Sequence, residues 1–345
     1  MRAVVLTGFG EPKKCLKYRE DHPKPVRKPG EVLVAVKATG VNPAECHIRN
    51  AKLPKAMITI PQILGCDLAG VVLEADPTSK FKVGDRVVSC TGQFLRDPWG
   101  TYAEYVSVRE ALVAPLPAAV SFVEGAALPI AGMTAWQALA PSMPLGGKRV
   151  LVLGGAGGVG HFAVQIAKTQ GAYVAATCST RNTDFVTREL GADRAIDYTQ
   201  EKLETAAGEP YDVIVDLVGA EPYVWGLLRK RGRLAAVSFD QTMQGRQGWG
   251  LVLGVVARMM RLKLASALGL CPQYDSVVQD VAPDKGLIQA SAPALSCPPP
   301  STHTHTHTLP PPASGVFWGP VGVVLGCRDR AVPYVSVSRT DGGSW

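Results

Sequence analysis

The chain has 345 residues, 46% of them hydrophobic and 19% charged, with a formal net charge of +7. That length and apolar content mark an ordinary soluble protein able to bury a sizeable core in about two domains. The basic residues are scattered, which favours anionic ligands or a weak hold on an anionic membrane surface and excludes a recognisable nucleic-acid binder. Eight cysteines, at 15, 46, 66, 90, 178, 271, 297 and 327, never form CxxC, as expected of reduced thiols in an intracellular protein. The opening MRAVVLTGFG already alternates like a first strand, so no signal or transit peptide is expected and the cytoplasm is the default location.

In chain order, residues 1–122 carry short strand-like runs: EVLVAVKATGVN (31–42), LGCDLAGVVLEA (64–75), VGDRVVS (83–89) and GTYAEYVSV (100–108). Glycine and proline punctuate them, predicting a compact, largely antiparallel β domain. A helical ALPIAGMTAWQALA (127–140) bridges to a second domain. There RVLVLGGAGGVG (149–160) runs a buried parallel strand, Val150 to Leu153, into a glycine cluster and an amphipathic helix. Gly155, Gly157 and Gly160 fill GxGxxG: a tight turn, a close backbone approach to a pyrophosphate, and tight helix–strand packing. Such a loop can also be a plain chain reversal. Here YVAATC (173–178), RAID (194–197), YDVIVDLVG (211–219) and GRLAAVSF (232–239) come after it with helical segments between, which is the alternation of a doubly wound parallel sheet.

The end of the second strand of that sheet selects the dinucleotide, because an acid there would bond the ribose 2′-hydroxyl of NAD. The segment instead reads Cys178, Ser179, Thr180, Arg181, Asn182, offering a hydroxyl and a guanidinium to a 2′-phosphate, so NADPH is expected over NADH. The alternative makes Ser179 a helix cap and Arg181 a solvated charge.

WGLVLGVVARMMRLKLASALGL (249–270) is long and apolar but holds Arg258, Arg261 and Lys263, which argues against a spanning helix. It reads either as a helix and strand at the domain edge or as a basic amphipathic surface able to touch a membrane. After about Gly286 the composition turns to proline triplets and a Thr-His repeat, a low-complexity tail expected to be largely disordered through 296–315. His303, His305 and His307 read as repeat expansion, so no metal is assigned to them.

GKRVLVLGGAGGVGHFAVQIAK (147–168), with VLVAVKATGVNPAE, LGCDLAGVV, VGDRV and GTYAEYV in order, resembles the medium-chain dehydrogenase/reductase superfamily, in its zinc-independent quinone oxidoreductase branch. CSTRN and NPAECHIRN are similar to reductases related to the chloroplast-envelope quinone-oxidoreductase homologue and to reticulon-interacting mitochondrial relatives. The resemblance implies an α/β protein: a GroES-like β domain (1–122), a Rossmann NADPH-binding domain (123–285) and an atypical tail (286–345) in which AVPYVSVSRT (331–340) is a partial return strand. It implies a cofactor set of Thr134, Gly155, Ala156, Gly157, Gly158, Val159, Gly160, Ser179, Arg181, Tyr198 and Val218, a homodimer, and a chloroplast or mitochondrial membrane surface as a further location.

In the zinc-dependent branch a Cys follows Gly-Val and a His lies in Gly-His-Glu; here those places hold Asn42 and Cys66 with Asp67, so no metal is expected. Without a Lewis acid, a conjugated acceptor is the expected substrate: a quinone, enone or enal, whose charge on reduction is delocalised. By resemblance Asn42 and Thr134 lie near the nicotinamide and ribose. His47 is the nominated proton donor, with water as the alternative, and Tyr102 and Tyr105 are weaker candidates. A reading from another class keeps NADPH binding but makes the chain a non-catalytic protein acting through membrane or partner association.

Overall fold

The computed structural model describes residues 1–92, 97–220, 223–237, 248–267, 273–276, 321–323 and 335–339. The stretch 296–315 expected to be disordered, with its three histidines, lies outside the described residues.

The first part of the chain folds as β1 (Ala3–Leu6), helix α1 (Pro12–Cys15), β2 (Leu16–Arg19), β3 (Glu31–Val41), helix α2 (Pro43–Arg49), β4 (Gln62–Ile63), β5 (Asp67–Glu74), β6 (Arg86–Cys90), β7 (Tyr105–Arg109) and β8 (Val113–Pro115). β1 pairs with β2 and β4, while β3, β5, β6 and β8 form an antiparallel run in that order. Val32, Val34, Leu68, Val72, Val87, Val106 and Val108 fill its interior, the buried counterparts of the alternation seen in the sequence. β5 takes one edge of β3; on the other, β7 covers Glu31 to Ala35. The remainder of that edge is taken from far along the chain by β16 (Val335–Arg339), Val335 pairing with Val41 and Ser338 with Ala38, and β15 (Val321–Val323) pairs in turn with β16.

Helices α3 (Phe122–Ala127) and α4 (Pro129–Leu139) lead into β9 (Arg149–Leu153), α5 (Gly158–Thr169), β10 (Tyr173–Cys178), β11 (Arg194–Asp197), α6 (Leu203–Ala206), β12 (Tyr211–Asp216), β13 (Leu228–Ala236), α7 (Gly248–Ala267) and β14 (Gln273–Ser276). All pairings among these strands are parallel. Their order, β11-β10-β9-β12-β13-β14, is that of a Rossmann sheet, whose direction of winding reverses between β9 and β12. One hydrophobic core joins the two parts: Ala38, Cys66 and Ala69 of the β domain meet Ala126, Met133 and Leu139 of α3 and α4, which meet Val150, Val152 and Ile166.

The segment from Trp249 resolves differently from a helix-then-strand break inside 249–270: it is one helix to Ala267, and the strand begins at Gln273 as the sixth of the sheet. Leu, Met, Ala, Arg and Lys are strong helix formers, and together with the packing of Leu251 and Leu262 they outweigh Gly250, Gly254 and the three valines of the run.

Candidate active site

β3 ends in Gly40-Val41-Asn42, and the Thr39↔Leu68 register brings that end beside Cys66 and Asp67 at the start of β5. A Cβ on Gly40 would stand 3.0 Å from both the Ala126 carbonyl oxygen and Asp67 Oδ2, so glycine makes room for the carboxyl. Asn42 is extended, at φ −119° and ψ 160°, and caps α2 with Pro43 in the first turn. Glu45 turns back to accept a hydrogen bond from the Asn42 backbone N–H at 2.7 Å, the return half of a capping box.

Asn42 Nδ2 donates to Asp67 Oδ2 at 2.9 Å, and the Ile130 N–H of α4 donates to Asp67 Oδ1 at 3.1 Å. The Cys66 thiol donates to Glu45 Oε1 at 3.3 Å. Thr39 Oγ1 donates to the Asp67 carbonyl and lies 2.6 Å from Thr101 Oγ1. Asn42, Glu45, Cys66 and Asp67 are all buried. Burial therefore governs their acidity: it pushes Glu45 up to about 7 and Asp67 up to about 8, against the pull of their hydrogen bonds, and raises the Cys66 thiol further. Tyr102, raised by burial and by the neighbouring acids, has its hydroxyl buried without a hydrogen-bond partner. Thr134 lies one turn along α4 from Ile130 and is buried, so Asp67 ties the Asn42 end of β3 to the helix carrying Thr134. His47 lies half-buried beyond the first turn of α2.

The other half of the site is the glycine loop at the winding reversal. Gly154 N and Gly155 N donate to the Thr177 hydroxyl and carbonyl at 2.8 and 2.9 Å, pinning the loop to β10. A Cβ on Gly155 would meet Ala176 at 2.6 Å, and one on Gly160 would meet the Gly154 carbonyl at 2.1 Å, so both glycines are sterically required. Gly157 caps α5, and the loop's Ala156, Gly158 and Val159 complete the approach to that helix N-terminus, whose free N–H groups and dipole suit a pyrophosphate. His161 Nδ1 lies 3.0 Å from the Gly157 carbonyl, and burial pushes this imidazole's pKa down. Val218 stands at the loop's opposite wall, 3.2 Å from a Cβ placed on Gly154, on a turn held by the Asp216 carboxylate, which accepts from Val218 N and Gly219 N.

Ser179, Arg181 and Tyr198 gather at the ends of β10 and β11, where Tyr198 N donates to the Cys178 carbonyl at 3.1 Å. Arg181 and Tyr198 are exposed. One acid stands close, Asp197, which pairs with Cys178 across the strands; its carboxylate already accepts from the Thr180 and Thr199 hydroxyls at 2.6 and 2.7 Å. The sequence reading overlooked Asp197 because it sits on the neighbouring strand, and overlooked the bond of Asn42 to Asp67, with Glu45 behind it, because that contact depends on β3–β5 register. A glycine before Asn42 and a Glu three residues after it were the available signals.

Cys66, Asp67 and Cys90 present donor atoms within 4.8 Å of one another, the one grouping among the described residues with metal-ligand chemistry. As a zinc donor set it fits poorly. Zinc takes thiolate, whereas the Cys66 thiol is engaged as a donor to Glu45 Oε1, a bond that ligation would have to break. Both Asp67 oxygens are already engaged, and the Asn42 amide is neutral.

An antiparallel β domain and a Rossmann sheet, joined across α4 with Asn42 at the seam, define the two-domain architecture of medium-chain dehydrogenases and reductases. Residues 28–118 match the family described as alcohol dehydrogenase GroES-like domain, and residues 158–253 the family described as zinc-binding dehydrogenase. Over 236 residues the chain is 38% identical to the chloroplastic quinone-oxidoreductase homolog of Spinacia oleracea, covering 65% of this chain and 70% of that protein. It is 36% identical over 251 residues to the chloroplastic NADPH-dependent alkenal/one oxidoreductase of Arabidopsis thaliana, covering 71% of this chain and 64% of that protein's length. The solved quinone oxidoreductase of Coxiella burnetii superposes with a TM-score of 0.69 at 29% identity, over 84% of this chain and 86% of that one. The chain belongs to the medium-chain dehydrogenase/reductase superfamily, in its quinone-oxidoreductase branch.

Proposed function

We propose that the chain is a zinc-independent, NADPH-dependent reductase of quinones or α,β-unsaturated carbonyls. The observation that carries this reading is the buried Asn42–Asp67–Glu45–Cys66 network: the positions that the resemblance matches to zinc ligands hold groups hydrogen-bonded to one another, at the seam that also holds Thr134. The glycine loop and the Ser179–Arg181–Tyr198 corner support NADPH, and the name of the Arabidopsis relative points the same way.

Bound NADPH supplies a hydride, which an electron-poor double bond or quinone accepts together with one proton from the protein or water. Asn42 Nδ2 is held by Asp67 and, at 3.9 Å, by the Cys66 sulfur, which fixes the amide in a single orientation beside the nicotinamide or its ribose. Thr134 offers a hydroxyl from α4. His47 is the group on α2 suited to delivering the proton. A conjugated acceptor spreads its charge over several atoms, so positioning and one or two hydrogen bonds replace a Lewis acid.

The test is NADPH oxidation by purified protein across quinones, enals, enones and simple alkyl ketones, before and after exhaustive chelation, with metal analysis alongside. Turnover of conjugated acceptors that survives chelation is the expected result. Stoichiometric zinc whose removal abolishes turnover refutes zinc independence, and absence of turnover on every conjugated acceptor despite NADPH binding refutes the enzymatic reading.

A further inference from the structure

Helix α7 carries an apolar stripe on its outer side. Trp249, Leu253, Val256, Met260 and Leu264 are 60%, 66%, 46%, 68% and 62% exposed. At about 100° per residue, these five positions fall within an arc of roughly 80°. The opposite side is accounted for: Leu251 is buried, and Leu262 packs against the cluster of the parallel sheet that holds Leu151, Ile214, Leu234 and Tyr274. Such a continuous exposed stripe is beyond the scattered apolar residues of an ordinary surface and requires an occupant.

The charges choose it. Arg261 and Lys263 are exposed, and their helical positions put them on the two flanks of the stripe; the sequence Gly248–Ala267 contains no Asp or Glu. A second α7 laid on this face would bring cations and no carboxylate to meet them, whereas an anionic bilayer answers both the stripe and its flanks. We propose that α7 docks the protein on the surface of an anionic phospholipid bilayer, lying in the interface plane with Trp249 to Leu264 among the upper acyl chains and Arg261 and Lys263 reaching headgroup phosphates. No described helix is long and apolar enough to cross a membrane, in keeping with a helix that lies flat. This surface is independent of the hydride chemistry proposed above.

The test is flotation of the full chain with vesicles of phosphatidylcholine alone or mixed with phosphatidylglycerol. Co-flotation with the anionic vesicles only is expected, with the vesicle-bound fraction falling about tenfold for Leu253→Glu/Met260→Glu and for Arg261→Glu/Lys263→Glu. Circular dichroism melts establish that each variant is folded. Absence of flotation, or flotation insensitive to both variants, overturns the proposal. So does sedimentation showing that Leu253→Glu/Met260→Glu turns a dimer into a monomer, which assigns the stripe to a second copy. Vesicle binding gained only after removal of 277–320 overturns it also, assigning the stripe to the chain's own segment.

Discussion

Asp67 concentrates the most chemistry in the fewest atoms, because its raised pKa is a statement about stability as well as charge. In the fold it keeps its proton up to about pH 8, whereas the unfolded chain releases it at an ordinary carboxylate value of about 4. The folded state therefore binds more protons in that window, and the contribution present at low pH is lost as pH rises through about 8; Glu45 acts in the same sense up to about 7. Melts of wild type and Asp67→Asn at pH 5.5, 7 and 8.5 should show the variant gaining relative to wild type as pH rises; parallel curves would remove Asp67 as the titrating group. Arg181 invites a sharper experiment: it is exposed and makes no hydrogen bond or ion pair among the described residues, so its charge is available to a phosphate. Calorimetry should find NADPH bound at least about tenfold tighter than NADH, a difference of about 1.4 kcal/mol, and Arg181→Ala should erase most of it. Equal affinities in the wild type would end the 2′-phosphate assignment.

Among the elements, α2 is the one whose beginning is part of the site. Its first turn is closed by Glu45 on the Asn42 N–H, and the same carboxyl accepts from Cys66, so a single side chain sets the helix start and the floor of the site. Glu45→Ala leaves a buried N–H and a buried thiol without their acceptor and should cost about 1–3 kcal/mol by denaturant titration, with Glu45→Gln recovering a good part. A loss confined to turnover, with stability unchanged, would show that the capping bond carries no structural weight. Much at this scale was legible beforehand. The glycine loop, the alternating strands of the β domain and the parallel runs after Arg149 are written in nearest-neighbour spacing, which a one-dimensional reading captures. The partnership of Asn42 with Asp67 was not, since it is made by strands that meet through register rather than by residues adjacent in the chain. The unbroken course of α7 was hidden for a different reason: apolar residues on both its packed and its outer side erase the periodicity that would distinguish helix from buried strand.

At the scale of the whole molecule, the two parts share a core through α4, and β16 ties the far end of the chain to β3. β16 covers Ala38 to Val41, the stretch that leads directly into Asn42. Removing 331–345 should therefore lower the melting temperature, promote concentration-dependent association through the bared edge, and reduce turnover more than it reduces NADPH affinity. An unchanged melt and unchanged kinetics would show that the pairing contributes nothing to the site. The same pairing makes the β domain discontinuous: residues 38–41 find their last neighbour only at 335–338, with the entire nucleotide-binding sheet emerging from the ribosome in between. The entropy of closing so long a loop rises slowly with its length, but the wait does not. During synthesis the segment before Asn42 is complete in sequence long before it is complete in structure, so its last edge is covered only after the whole nucleotide-binding sheet has been made and 335–338 arrive.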